Sequence, residues 1–392
     1  MSRRSSKAEG PTETKAKGRM ETEAAPSLDQ SLDAILRERI RREGAITFRE
    51  WMSAALYDER RGYYRRRGAE RWGRAGDYRT GPERSTLFAA TFARRFADIY
   101  EELGRPHAFH LLEVGGGAGH FADGVLRTLR RDAPHVFDAL RYIFDEASDD
   151  SRNLTESLLA PFAGRVEFRR LHDIARSLDE AVVFSNELLD ALPVHRVVVR
   201  GGELRELYVD VDERENFVWA EGELSSPRLA EHFERTGVTL SEGQAAEVNL
   251  EAEEWVGRVG SLVGRGYVLT VDYGDEAAAL FGAPHRRTGT LRALRGHEFV
   301  EDFLQNPGGQ DLTTTVNWTQ VISSGEAAGL RTVALERLDS FLLSAGLLEQ
   351  LERESAHAAS EADVTRLRLD AREMILPGGM ASHFQVLVQK KI

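Results

Sequence analysis

From residue 105 onward, apolar positions fall into short unbroken runs separated by stretches with helical spacing. Phe109 to Val114 is one such run, the pattern of a strand buried on both faces. Glycine follows at once, in Gly115-Gly116-Gly117-Ala118-Gly119. Phe121, Val125, Leu126 and Leu129 then recur at the period of a helix. Leu140–Phe144, Val166–Leu171, Ala181–Phe184 and Tyr267–Val271 are further runs, read as strands. Strands alternating with helices predict an α/β fold with a doubly wound, mostly parallel sheet. Each predicted strand delivers an acidic residue at its C-terminal end: Glu113, Glu146, Asp173, Glu187 and Asp272. In such a sheet those ends converge on one crevice.

The rhythm breaks after the fourth run. Arg196 to about Leu224 alternates with period two around Gly201-Gly202, which predicts an inserted β meander within a substrate-shaping module over 196–247. Val248–Val263 reads as a helix and Gly282–Asp311 as a long irregular loop. Trp318–Gly329 reads as a helix, Thr332–Leu338 as a strand, Phe341–Arg353 and Ala362–Met374 as helices, and Phe384–Val388 as a closing strand.

Ahead of the glycine strand, Leu32, Ile35, Leu36 and Ile40 share a helical face, with Ser27 or Asp29 as cap. A second helix follows Thr47, and a third runs from Leu87 to Leu103. Tyr63 and Tyr64 read as packing residues. Residues 1–26 carry almost no apolar side chain and are expected to be a disordered tail. The division is therefore a tail (1–26), an N-terminal helical lid region (27–104) and a main domain (105–392).

Charge and composition narrow the function. Net charge is −12, which argues against a general nucleic-acid binder. There is no cysteine, so disulfides, thiolate nucleophiles and Cys-ligated metals are excluded. His172 and His195 make no metal-spaced cluster with carboxylates, so no metal is expected. No apolar run approaches membrane-spanning length, and no membrane insertion is expected. A cytoplasm is the default compartment.

The glycine turn itself admits two cofactor classes. A dinucleotide fingerprint, G-x-G-x-x-G, read from Gly115 meets His120 at its sixth position; read from Gly117 it meets Ala122, which a relaxed pattern tolerates. The pattern Glu113-Val114-Gly115-Gly116-Gly117-Ala118-Gly119 instead resembles motif I of class I S-adenosylmethionine (SAM) methyltransferases.

Further segments extend that likeness. Gly76-Asp77-Tyr78-Arg79-Thr80-Gly81-Pro82-Glu83, Asn186-Glu187-Leu188-Leu189-Asp190-Ala191-Leu192-Pro193-Val194-His195, Val271-Asp272-Tyr273-Gly274 and Asp311-Leu312-Thr313-Thr314-Thr315-Val316 resemble the MidA-like SAM-dependent methyltransferases. Gly81, Gly116 and the pair Leu188-Leu189 depart from that family's usual serine, proline and aromatic pair.

The resemblance implies a Rossmann-like class I methyltransferase fold that uses SAM and acts on a protein substrate, at arginine. Its best-known relatives make a respiratory-complex subunit a candidate partner and the mitochondrial matrix the compartment in a eukaryote. It implies that Glu113, Gly115, Gly117 and Gly119 hold the methionine half of the cofactor. Glu146 is expected at the ribose, Asp173 at the adenine, and Asp77 and Glu83 on a lid.

On the acceptor side, a helix starting after Asn186 would put Glu187 and Asp190 on one face. Two carboxylates there suit a guanidinium gripped in bidentate fashion. His195 is a candidate general base for a hydroxyl or amine acceptor. A small-molecule O- or N-methyltransferase and a non-catalytic assembly factor retaining the fold are the alternatives.

Overall fold

A computed structural model describes residues 31–65, 85–296, 298–376 and 378–392. The tail 1–26 and the loop segment 76–83, with Asp77 and Glu83, lie outside the described residues.

The central sheet among the described residues contains β1 (Phe109–Val114), β2 (Leu140–Asp145), β3 (Val166–Phe168), β4 (Ala181–Asn186), β5 (Gly266–Asp272), β6 (Arg331–Arg337) and β7 (Gln385–Lys391). Their order across the sheet is β6-β7-β5-β4-β1-β2-β3. β1 to β5 are parallel, and β7 runs antiparallel to both its neighbours.

Both faces of the sheet are covered, which is why its strands read as unbroken apolar runs. On one face, Leu111, Val182, Phe184 and Leu269 pack against the helices α3 (Thr86–Glu102) and α4 (His120–Asp132). On the other, Leu112, Val183 and Val268 meet α5 (Leu250–Leu262) and α6 (Trp318–Ala327).

The chain leaves β1 for β2 on one side and returns to β4 on the other. A crevice opens between the first turns at such a reversal. Register places the openings together: Val114 pairs with Asp145 and with Ser185, and Asn186 with Val271. Gly115, Glu146 and Glu187 therefore leave the sheet at one edge.

The predicted N-terminal region divides between two cores. α3 belongs to the central sheet. Helices α1 (Leu32–Glu43) and α2 (Phe48–Tyr57) pack instead on the meander: Phe48 lies 5.0 Å from Trp219, and Ile46–Thr47 pairs with Val209 and Tyr208. Ser31, rather than an earlier residue, caps α1 by accepting from the Ala34 N–H, and Thr47 with Glu50 closes a capping box on α2. The meander strands His195–Arg200, Glu203–Val211 and Phe217–Gly222 are joined by Ala245–Val248.

Residues 282–311 are not a structureless loop. Arg292–Arg295, Glu298–Val300 and Asp311–Thr313 form a small antiparallel sheet. Its strands are three or four residues long, and Ala293 and Leu312 supply its buried apolar contacts. So short a pattern among arginines carries almost no periodicity signal.

Candidate active site

At the β1–β4 reversal a cleft encloses about 1100 Å³ counting its open mouth. The glycine turn forms one end. Gly115, Gly117 and Gly119 have φ of 74°, 55° and 79°, a region that disfavours any side chain. Gly116 meets a different limit, since a Cβ there would sit 2.2 Å from the Phe144 ring. The turn is pinned from β2: Glu146 accepts from the Gly117 N–H at 2.8 Å and from the Ser148 N–H at 2.6 Å. At the floor, Phe121 of α4 stacks on Phe184 of β4 with centroids 4.2 Å apart.

Glu113 lines this end from β1. It is buried, and the Tyr142 hydroxyl donates to its Oε2. Burial pushes its carboxyl up to about 8, which the Tyr142 bond opposes and the neighbouring Glu146 charge reinforces. A cationic ammonium brought beside it would restore the ionised form. Burial likewise raises Glu146 above the usual carboxylate range, against the pull of its two backbone donors.

The other end of the cleft is built by the turn after β4. No helix forms there. Glu187 adopts φ +52°, and its N–H donates to the Val271 carbonyl at 2.9 Å, prolonging the sheet pairing by one residue. The left-handed residue turns the chain so that Glu187, Leu188 and Asp190 all line the cleft. Glu187 and Asp190 thus both line the cleft, brought there by a tight turn and not by the helical face expected.

Asp272 holds this turn. One oxygen accepts from the N–H groups of Leu189 at 2.9 Å and Asp190 at 3.3 Å, and the other from Tyr273 at 2.9 Å. Its side chain is fully buried beneath the loop and does not line the cleft. Asp190 is also buried, and its Oδ1 has no hydrogen-bond partner among the described residues. Burial raises its carboxyl to about 6, while the Tyr273 hydroxyl and Arg292 pull it down. The Arg292 guanidinium lies 4.4 Å over the Tyr273 ring.

Three predicted residues do not line the cleft: Gly119, which is the N-cap of α4, Asp173 and His195. Asp173 is 61% exposed, pairs with His172 at 3.3 Å and stands outside the cleft. The strand before it is only three residues long, so the chain has left the sheet edge before Asp173 is reached. His195 begins the meander, and its Nδ1 lies 2.7 Å from buried Glu206, which also accepts from the Ser225 N–H. It does not line the cleft and has no position from which to act as a base there.

Among the cleft residues that were not predicted are Tyr57, Tyr64, Asp311 and Thr313. Tyr63 is fully buried as expected, whereas Tyr64 lies at the cleft. Asp311 was present in the sequence only as part of a family-like segment. Among the described residues no group of His, Asp and Glu is arranged to hold a metal ion, and no helix is long and apolar enough to cross a membrane.

SAM fits the glycine end. The backbone there is bare by steric necessity, and a buried carboxyl awaits a cation beside a second at the end of β2.

Comparison with known proteins agrees. The chain is 29% identical over 325 residues to the mitochondrial protein arginine methyltransferase NDUFAF7 homolog of Drosophila melanogaster, covering 76% of this chain and 71% of that one. It is 24% identical to the human mitochondrial protein arginine methyltransferase NDUFAF7, over 88% and 80% of the two chains. A protein from Burkholderia thailandensis described as a likely methyl transferase, solved bound to S-adenosyl-homocysteine, superposes with a TM-score of 0.81 at 27% identity over 92% of each chain. A sequence model of one methyltransferase family matches residues 91–335, which span the glycine turn, the acidic turn and the meander. With that match over more than half its length, the chain belongs to the S-adenosyl-L-methionine-dependent methyltransferase family.

Proposed function

We propose that this methyltransferase acts on an arginine side chain of a protein substrate. One observation carries the reading: Glu187 and Asp190 line the same cleft as the glycine turn. A pair of carboxylates matches the planar fork of a guanidinium. The fly and human relatives, named as arginine methyltransferases, support the same acceptor.

When bound, SAM supplies an electrophilic methyl group on a sulfonium. Glu113 and the backbone of Gly115 and Gly117 would hold its methionine half, and Glu146 its ribose. Glu187 and Asp190 orient the guanidinium so that one nitrogen faces the methyl position. Their charge stabilises the cation as it changes shape. Free arginine keeps its proton up to about pH 12, so the carboxylates act first by orientation and electrostatics. Asp190, raised to about 6 and still ionised at neutral pH, is the acceptor for the proton that leaves.

A respiratory-complex subunit is the substrate we favour, in the mitochondrial matrix of a eukaryote or the cytoplasm of a bacterium. The mitochondrial relatives support that placement.

The test supplies methyl-labelled SAM to a lysate with the purified enzyme and separates protein from small molecules. Label on arginine in the protein fraction is expected, lost in Glu187→Ala while SAM binding is kept. Label confined to small molecules would overturn the reading. A Glu187→Ala variant that keeps full cellular function would point to an assembly role without catalysis.

A further inference from the structure

We propose that Asp311, positioned by Tyr64, is a substrate-binding carboxylate that gives the acceptor pocket its selectivity for a cationic side chain. The inference rests on the arginine reading above and adds a second wall to that site.

Asp311 opens the short strand Asp311–Thr313, whose partner is Arg292–Leu294. It is fully buried and yet lines the cleft, as does Thr313. The Tyr64 hydroxyl donates to its Oδ1 at 2.7 Å. Three residues further on, the Thr314 N–H donates to the Asp190 carbonyl at 2.9 Å. The strand that carries Asp311 is therefore tied to the turn that carries Glu187 and Asp190.

The tyrosines complete the enclosure. Tyr57 and Tyr64 have ring centroids 5.4 Å apart, inclined at 33°. The Tyr57 hydroxyl donates to the Ala191 carbonyl at 3.0 Å, on the acceptor turn itself. Residues from α2, from the turn after β4 and from the small sheet thus close on one end of the cleft. Three carboxylates and two aromatic rings meet there.

That combination selects by charge. Arg292 already favours the ionised form of Asp190, and a further cation brought among the three carboxylates is drawn to them strongly in a partly desolvated space. A guanidinium has five N–H donors to share among them and a flat face to lay against tyrosine. A neutral acceptor of the same shape offers no charge compensation. Asp311 contacts the substrate; Tyr64 fixes its carboxylate and acts through it.

The experiment uses the full chain saturated with S-adenosyl-homocysteine. Calorimetry measures binding of the pentapeptide Gly-Gly-Arg-Gly-Gly and of its citrulline twin, a neutral isostere. The wild type is expected to prefer arginine by tenfold or more, a difference of about 1.4 kcal/mol. Asp311→Asn should lose most of that preference with S-adenosyl-homocysteine affinity unchanged, and Asp311→Glu should recover part of it. Tyr64→Phe, which leaves every charge in place, should weaken arginine binding by a smaller factor and serves if Asp311→Asn fails to fold. An Asp311→Asn or Tyr64→Phe protein with wild-type preference overturns the proposal and leaves the arginine reading intact. A wild type that does not distinguish the two peptides overturns both.

Discussion

The Tyr142 hydroxyl donates to Glu113 Oε2 at 2.5 Å, joining two neighbouring strands beneath the glycine turn. The bond is too little to offset burial, and the Glu113 carboxyl remains up at about 8. Two pH effects follow.

Without ligand, the folded protein keeps the Glu113 proton over a range where the unfolded chain, with glutamate near 4.3, has lost it. Protons are then bound more by the folded state, so stability falls as pH rises from about 4.5 to about 8. Glu113→Gln should flatten that part of the profile, measured by urea midpoints across the range. The ligand side has the opposite slope. An ammonium beside Glu113 favours its ionised form, so SAM binding should expel a proton and tighten as pH rises. Tightening should stop where the ligand's own α-amino group deprotonates, near ~8. Calorimetry at pH 7 in two buffers of different ionisation heat should reveal proton release in the wild type and none in Glu113→Gln. Equal heats in both buffers for the wild type would refute the assignment.

Gly116 and Phe144 are in steric balance, since a methyl at Gly116 would meet the ring at 2.2 Å. Gly116→Ala should cost about 1–3 kcal/mol and weaken SAM binding by displacing the turn. Adding Phe144→Leu should restore part of the stability. Double-mutant analysis of urea unfolding is the check, and strict additivity would show that the two residues do not compete for space.

The left-handed backbone at Glu187 separates geometry from chemistry. Glycine accepts φ +52° without strain, whereas alanine does not. Glu187→Gly should therefore be more stable than Glu187→Ala by roughly 1 kcal/mol. Both should lose methyl transfer and bind SAM as the wild type does. Retained transfer in either variant would remove Glu187 from the acceptor site.

His195 supplies the contrasting case. His195→Ala leaves the buried Glu206 carboxylate short of a partner and should cost about 1–3 kcal/mol. Turnover and its pH profile should be unchanged at temperatures where the variant is folded. A hundredfold loss of turnover with SAM binding intact would reinstate His195 as a base.

What the sequence by itself determined was local. The run Phe109–Val114, the glycines and the helix behind them are specified by neighbouring residues: a doubly buried strand is apolar throughout, and the turn excludes side chains. Glu113, Glu146 and Glu187 were legible for the same reason, because residues at or just past the C-terminal end of a parallel strand open onto the crevice wherever the strands are in register. Only the tertiary structure decided the rest. Asp173 follows a strand too short to deliver it, and His195 meets Glu206 from a neighbouring strand of the meander. Asp272 resembles the other strand-end acids in sequence, yet its loop folds over it and turns it into an anchor. Tyr64 and Asp311 stand 247 residues apart and become partners only when the turn after α2 and the small sheet close over the acceptor turn. Contacts at that separation leave no periodicity and no spacing in the chain, because they are fixed by packing between elements and not by the order of residues within one.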